Sequence, residues 1–145
     1  MVRINLIDPK NLADQHLIAE YNEILMLIGH LKKHGVKSDP VPESYCLGKG
    51  HITFFKNKLL YLKKRHGLIK NEMRNRGFKT NKKLEISKYS KKLKNDWKPE
   101  KRDYETIKKR LMEKINSKPN HYRHYGEHKD KKFFINLINA NKIMK

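Results

Sequence analysis

The chain has 145 residues, 37% of them hydrophobic, which is enough for one domain of ordinary size with a thin core. Thirty-five Lys and Arg against 15 Asp and Glu leave a formal net charge of +20; that excess excludes a balanced solvated surface and points to a polyanionic partner, phosphate backbones first. The single cysteine, Cys46, excludes an intrachain disulfide and any multi-cysteine zinc site, and no apolar run approaches the ~20 residues of a membrane span.

Met1 precedes a small residue, so removal of Met1 is expected to leave Val2 with a free α-amine. Such an amine has a pKa of about 7.7–8.0, against about 10.4 for lysine, so a useful fraction is an uncharged nucleophile at neutral pH. An amine near a carboxylate in a chain this basic suggests Schiff-base chemistry on nucleic acid. Asp8, Pro9 and Lys10 interrupt the N-terminus too early for a signal peptide, and a soluble, cytoplasmic protein is expected.

Asp8 and Pro9 read as the cap and first position of a helix over about residues 11–34, stopped by Gly35. Leu17, Tyr21, Ile24, Leu25, Ile28 and Leu31 share one face, and His16, Glu20 and Glu23 another. Residues 37–50, with Pro40, Pro42, Gly48 and Gly50, read as a loop. A second helix is expected over about residues 51–76, with Ile52, Phe55, Leu59, Leu62, Ile69 and Met73 inward and Lys56, Lys63, Lys64, Lys70 and Arg74 outward; Gly77 stops it and Gly67 sits inside it. Residues 80–98 are lysine-rich and irregular, with a weak helical signal at 86–93. A third helix follows Pro99 over about residues 100–117, with Tyr104, Ile107, Leu111 and Ile115 inward, until Pro119. Phe133, Phe134, Leu137, Ile138 and Ile143 give the tail a short amphipathic helix. No strand and no internal repeat is expected. The fold class is all-α, a single compact domain of three main helices with irregular connections.

Three groups of residues can carry chemistry. The stripe of His16, Glu20 and Glu23 is either a solvated helix face or the wall of a cleft close to the chain's start, where a carboxylate acts as general base and stabilises positive charge on a sugar ring. Gly48-Lys49-Gly50-His51 is either a plain loop before a helix or a place where backbone N–H groups and Lys49 meet a phosphate. His121-Tyr122-Arg123-His124-Tyr125 either packs on the body or stacks on bases and pairs with phosphates. Neither a metal nor a cofactor is implied, since the histidines are scattered.

Taken together, Arg3-Ile4-Asn5-Leu6, Leu12-Ala13-Asp14-Gln15-His16-Leu17, Ala19-Glu20-Tyr21 with Glu23, Leu47-Gly48-Lys49-Gly50-His51 with Thr53-Phe54-Phe55, and Arg76-Gly77-Phe78 resemble the phage-type endonuclease V family, pyrimidine-dimer DNA glycosylases with AP-lyase activity. Arg110-Leu111, Glu113-Lys114-Ile115, Pro119 and Tyr125-Gly126 continue the likeness, in family order, to residue 126. The resemblance implies a helical glycosylase/AP-lyase domain over residues 1–126 and a C-terminal extension over 127–145. It implies that the α-amine of Val2 attacks C1′ of the damaged nucleotide to form an imine, and that Glu23 is the essential carboxylate for glycosylase and β-elimination steps. The family has threonine where this chain has Val2, a change the backbone amine tolerates.

The resemblance also implies DNA or lesion contacts by Arg3, His16, Asn22, Lys49, Arg110, Lys114, Tyr122, Arg123 and Tyr125. Asn22 and Met26 stand where the family pattern has arginines, and His121 and His124 where it has aromatics. Each lost arginine removes a charge-assisted contact of roughly 1.5–3 kcal/mol. The implied partner is double-stranded DNA carrying pyrimidine dimers or abasic sites, met by a monomer. Two other readings stay open: an AP lyase or glycosylase for a different lesion, and a non-catalytic basic DNA- or RNA-binding protein with this fold.

Overall fold

The structure, a computed structural model, describes residues 3–34 and 41–141. Val2, Gly35, Pro40 and Ile143 lie outside the described residues. Among the described residues, five α-helices follow in order: α1 Asp14–His34, α2 His51–Phe55, α3 Leu59–Asn75, α4 Lys101–Ser117 and α5 Lys131–Asn139. The described residues are mostly helical with one small sheet; α1, α3 and α4 are long, and α2 and α5 are short. No helix among the described residues is long and apolar enough to cross a membrane.

Asp8 does cap, but what it caps is a separate 3-10 turn at Pro9–Asn11, where its side chain accepts from Lys10 N at 3.1 Å. Leu12 is extended, so the long helix starts only at Asp14. The expected second helix is also divided. At residues 56–58 the chain turns away to meet the lysine-rich connection: Lys58 bridges Lys94, and Asn95 Nδ2 donates to Asn57 O at 2.9 Å. This turn buries Lys56, which the helical pattern assigns to solvent. Gly67 does not interrupt α3. Gly77 (φ 85) ends the α3 segment, with Phe78 N–H donating to Met73 O and Gly77 N–H to Arg74 O, the paired bonds of a Schellman motif.

Residues 80–90 have no regular structure, and the weak helical signal amounts to one 3-10 turn at Lys91–Leu93. A small hairpin, β1 Arg123–His124 and β2 Glu127–His128, corrects the expectation of no strand. Its two-residue loop is Tyr125-Gly126, both at positive φ (54 and 80), as a right-twisted tight hairpin requires.

Ile4, Ile7, Leu12, Leu17 and Ile24 meet Phe54, Phe55, Leu59, Leu62, Ile69, Ile107 and Phe134 in one core. The N-terminal segment is therefore an interior element. α5 packs on α4, burying Phe134 and Ile138, and its end bonds to the chain's start: Asp8 N–H donates to Asn141 Oδ1 at 2.8 Å and Asn11 Nδ2 to Leu137 O at 2.7 Å.

Candidate nucleic-acid interface

The N-terminal segment is held atom by atom. Tyr45 Oη donates to Ile4 O at 2.8 Å, Ile4 N–H donates to His51 Nε2 at 3.1 Å, and Arg3 Nε donates to Leu47 O at 2.6 Å. His51 Nδ1 lies 2.8 Å from Cys46 O. Since Nε2 accepts, the proton sits on Nδ1 and the ring is neutral; burial lowers the His51 pKa to about 4, although the bond to Cys46 O opposes the shift. Gly50 lets this loop pack closely, because a Cβ there would meet Pro42 Cγ at 3.0 Å and Cys46 Sγ at 3.2 Å and push them back by a few tenths of an ångström. One step on, Asn5 N–H donates to Glu20 Oε1, and Arg65 grips both Glu20 oxygens (2.6 and 3.0 Å) while donating to Leu6 O and Ile7 O. Glu20 is 0% exposed. It belongs to this buried lock rather than to the wall of a cleft.

Above this segment, Arg3, Asn5, Gln15, His16, Ala19, Arg110, Lys114, Ser117, Lys118, His121 and Tyr122 line a cleft of about 270 Å³ between α1, α4 and the segment before the hairpin. Five of the residues expected to contact DNA thus converge: Arg3, His16, Arg110, Lys114 and Tyr122. Tyr122 is buried, and its ring packs 4.7 Å from that of His16. Burial, then the charges of Arg110, Lys114 and His121, lower the His16 pKa to about 4. His16 is therefore a neutral wall, and the cations of the cleft are the arginines and lysines. Burial lowers the Arg110 pKa, and Arg3 pushes it the same way. Two guanidiniums thus line one partly desolvated cleft, a setting that favours an anion. Among the described residues, His16 Nδ1 and Asn5 Oδ1 are buried with no hydrogen-bond partner.

Glu23 lies on α1 one turn beyond Ala19, about 6 Å along the helix axis. It is 9% exposed; burial raises its pKa, and the charge of Arg3 works against the rise. Arg3 thus both lines the cleft and acts by its charge on the Glu23 carboxylate.

The remaining expected residues are spread out. Asn22 is exposed and spends its amide on Ile18 O, and Met26 beside it is 68% exposed. Lys49 is exposed on the loop before α2 and does not line the cleft. Arg123 is exposed; its N–H donates to Gln15 Oε1 and its Nε to His128 Nε2. Tyr125, 51% exposed, is turned towards α3, with its hydroxyl 3.4 Å from Glu72 Oε2 and its ring 5.1 Å from the Arg76 guanidinium. Asp14 fixes this turn by accepting from the Tyr125 and Gly126 N–H groups, and Arg76, buried, bonds Asp14 in turn. Asn5, Gln15 and Lys118 are cleft residues to which the sequence assigned no contact, and His121, from the aromatic-basic stretch, joins them. Gln15, with its bonds to His121 O and Arg123 N, is what docks the aromatic-basic segment on α1.

The family model described as pyrimidine dimer DNA glycosylase matches residues 1–86, more than half of the chain. The matched span holds the clamped N-terminal segment, the whole of α1 with Glu23, and the loop that carries His51. Arg110, Lys114 and Tyr122 lie beyond it and reach the same cleft through the fold. The family acts on pyrimidine dimers in DNA, and this chain belongs to the pyrimidine dimer DNA glycosylase family.

Proposed function

We propose that the protein is a DNA repair glycosylase with AP-lyase activity, using the α-amine of Val2 as nucleophile and Glu23 as its carboxylate. The amine attacks C1′ of the damaged nucleotide and the N-glycosidic bond breaks, its electron pair leaving on the base, which takes up a proton; the attached nitrogen then loses a proton and its lone pair expels O4′, so that the C1′–O4′ bond opens to a C4′ hydroxyl and a protonated imine forms. A base removes a proton from C2′, and the C3′–O bond breaks, releasing the 3′ phosphate and nicking the strand. Glu23 suits both steps: its negative charge stabilises the cationic sugar, and it accepts the C2′ proton. One observation carries this reading. Arg3, the residue after the proposed nucleophile, is bonded to Leu47 O and exerts its charge on Glu23 while lining the basic cleft.

Arg3, Arg110 and Lys114 take the phosphates, and His16, Asn5 and Tyr122 face the extruded nucleotide. The enzyme works as a cytoplasmic monomer on duplex DNA, with residues 1–126 as its catalytic domain. The exposed Asn22 and Met26 favour a lesion range altered from that of relatives with arginines there.

Borohydride trapping tests the reading. Protein with Val2 exposed as the terminus is incubated with duplexes carrying a thymine dimer or an abasic site, and the imine is reduced to a stable amine. A covalent adduct on both duplexes is expected, and a retained Met1 or an N-terminal tag should suppress it. An adduct on the abasic duplex alone would assign a different lesion; none on either would leave a binding protein.

A further inference from the structure

Residues 79–98 carry eight lysines and two carboxylates, Glu85 and Asp96. Both carboxylates are already engaged. Lys64 on α3 binds Asp96 at 2.6 Å, and Glu85 accepts from Ser87 N–H with the charge of Lys63 beside it. Lys82, Lys83, Lys88, Lys91, Lys92 and Lys98 remain as exposed cations on one irregular segment.

The fold puts residues 82–89 of this segment on the side of α1 away from the cleft. Tyr21 Oη accepts from Lys82 N–H at 3.0 Å and donates to Lys82 O at 3.3 Å, and Leu25, Ile28 and Lys32 border Lys83, Leu84, Lys88 and Tyr89. At roughly 100° per residue, Tyr21, Leu25, Ile28 and Lys32 stand on the opposite side of α1 from His16, Ala19 and Glu23. The body of α1, about 10 Å thick, separates the two surfaces. Like charges held this close destabilise the compact state unless a polyanion neutralises them. The polyanion available to a member of this family is DNA, and the length of a twenty-residue basic strip suits a phosphate backbone better than a point ligand.

We propose that the lysine surface of residues 79–98, with the adjoining lysines of α3, binds a second stretch of duplex DNA while the cleft holds the first. One molecule then bridges two duplex segments, and can pass from one to the other without entering free solution.

The test uses the full chain and two short duplexes. One, fixed to beads, carries a tetrahydrofuran abasic analogue that the cleft binds but cannot cleave through an imine; the other is fluorescent and undamaged. The wild type should retain the fluorescent duplex on the beads. Substitution of Lys83, Lys88, Lys91 and Lys92 by Gln should cut retention by at least about tenfold and lower the log–log salt slope of the second binding by about 0.9 per lysine engaged. Binding of the analogue duplex alone should stay within about twofold of wild type, since none of these lysines lines the cleft. Undiminished retention by the fourfold variant would overturn the proposal. So would an equal loss in binding of the single duplex, which would mean one duplex wraps both faces. Light scattering should give one protein per two duplexes; two proteins per pair would replace bridging by self-association.

Discussion

Glu23 is where the chemistry proposed for this protein becomes measurable at a single residue. Burial raises its pKa and Arg3 resists the rise. As pH falls through that raised value, the carboxylate protonates and can no longer accept the C2′ proton, so single-turnover cleavage should lose rate above the ordinary glutamate value of about 4.3. Replacing Arg3 by Gln removes the opposing charge and should move this acid limb to still higher pH; a limb moving down would show that Arg3 does not act on Glu23. Glu23→Gln should abolish the limb and slow cleavage by roughly 10²–10⁴-fold, with duplex affinity nearly unchanged. Collapse of binding instead would make Glu23 a structural residue. Glu20 answers the same question from the other side. It shares a stripe with Glu23 in the sequence, yet it is 0% exposed and locked to Arg65. Spacing tells which residues share a helix face, and only the neighbours of that face tell which carboxylate is buried in an ion pair.

Among the elements, the loop of residues 45–51 governs the chain's start. Tyr45, Leu47 and His51 bond the two residues that follow Val2. Tyr45→Phe loses one bond and His51→Ala loses another and leaves Ile4 N–H unpaired. Each should slow borohydride trapping on an abasic duplex by about tenfold, the cost of a bond of ~1.4 kcal/mol, while affinity for an uncleavable abasic duplex changes little. Equal losses in trapping and affinity would assign the loop to DNA binding. The glycines around Lys49 read in the sequence as a phosphate loop; in the fold, Gly50 makes room for Pro42 and Cys46. A second device joins α1, α3 and the hairpin: Arg76 donates to Asp14 Oδ1, Leu12 O and Pro9 O, and Asp14 caps the Tyr125-Gly126 turn. Asp14→Ala leaves Arg76 its second carboxylate, Glu72 at 2.8 Å, but removes one ion pair and unpairs the Tyr125 and Gly126 N–H groups, and should cost about 1–3 kcal/mol. At about 2–4 °C per kcal/mol, that lowers Tm by roughly 2–12 °C in a calorimetric scan.

For the whole molecule, pH couples the cleft to stability. His16, His51 and His66 each have the pKa lowered to about 4, in every case with burial as the leading cause. Unfolded histidine titrates near 6.5. Between about 6.5 and 4 the unfolded chain binds protons that the folded protein refuses, so stability is full above about pH 6.5 and declines as pH falls towards 4. Urea midpoints measured across that window should fall with pH, and His51→Ala should flatten the fall. A midpoint independent of pH over the window would mean that these rings are solvated and titrate normally.

Much of the molecule is legible in one sequence: the strong excess of cations, the three long amphipathic helices, the glycine stop after α3, and the family motifs that flag Arg3, His16 and Glu23. These depend on local periodicity, on turn chemistry and on charge totals, all of which act within a few residues or over the whole surface. The division of residues 51–75 into two helices, the burial of Lys56, the hairpin turn, and the roles of His51 and Gln15 were settled by the tertiary structure. Each depends on a hydrogen bond or a close approach between residues roughly 40 to 110 positions apart. Such contacts satisfy polar groups that burial would otherwise leave unpaired, and no local pattern records which distant partner the fold supplies.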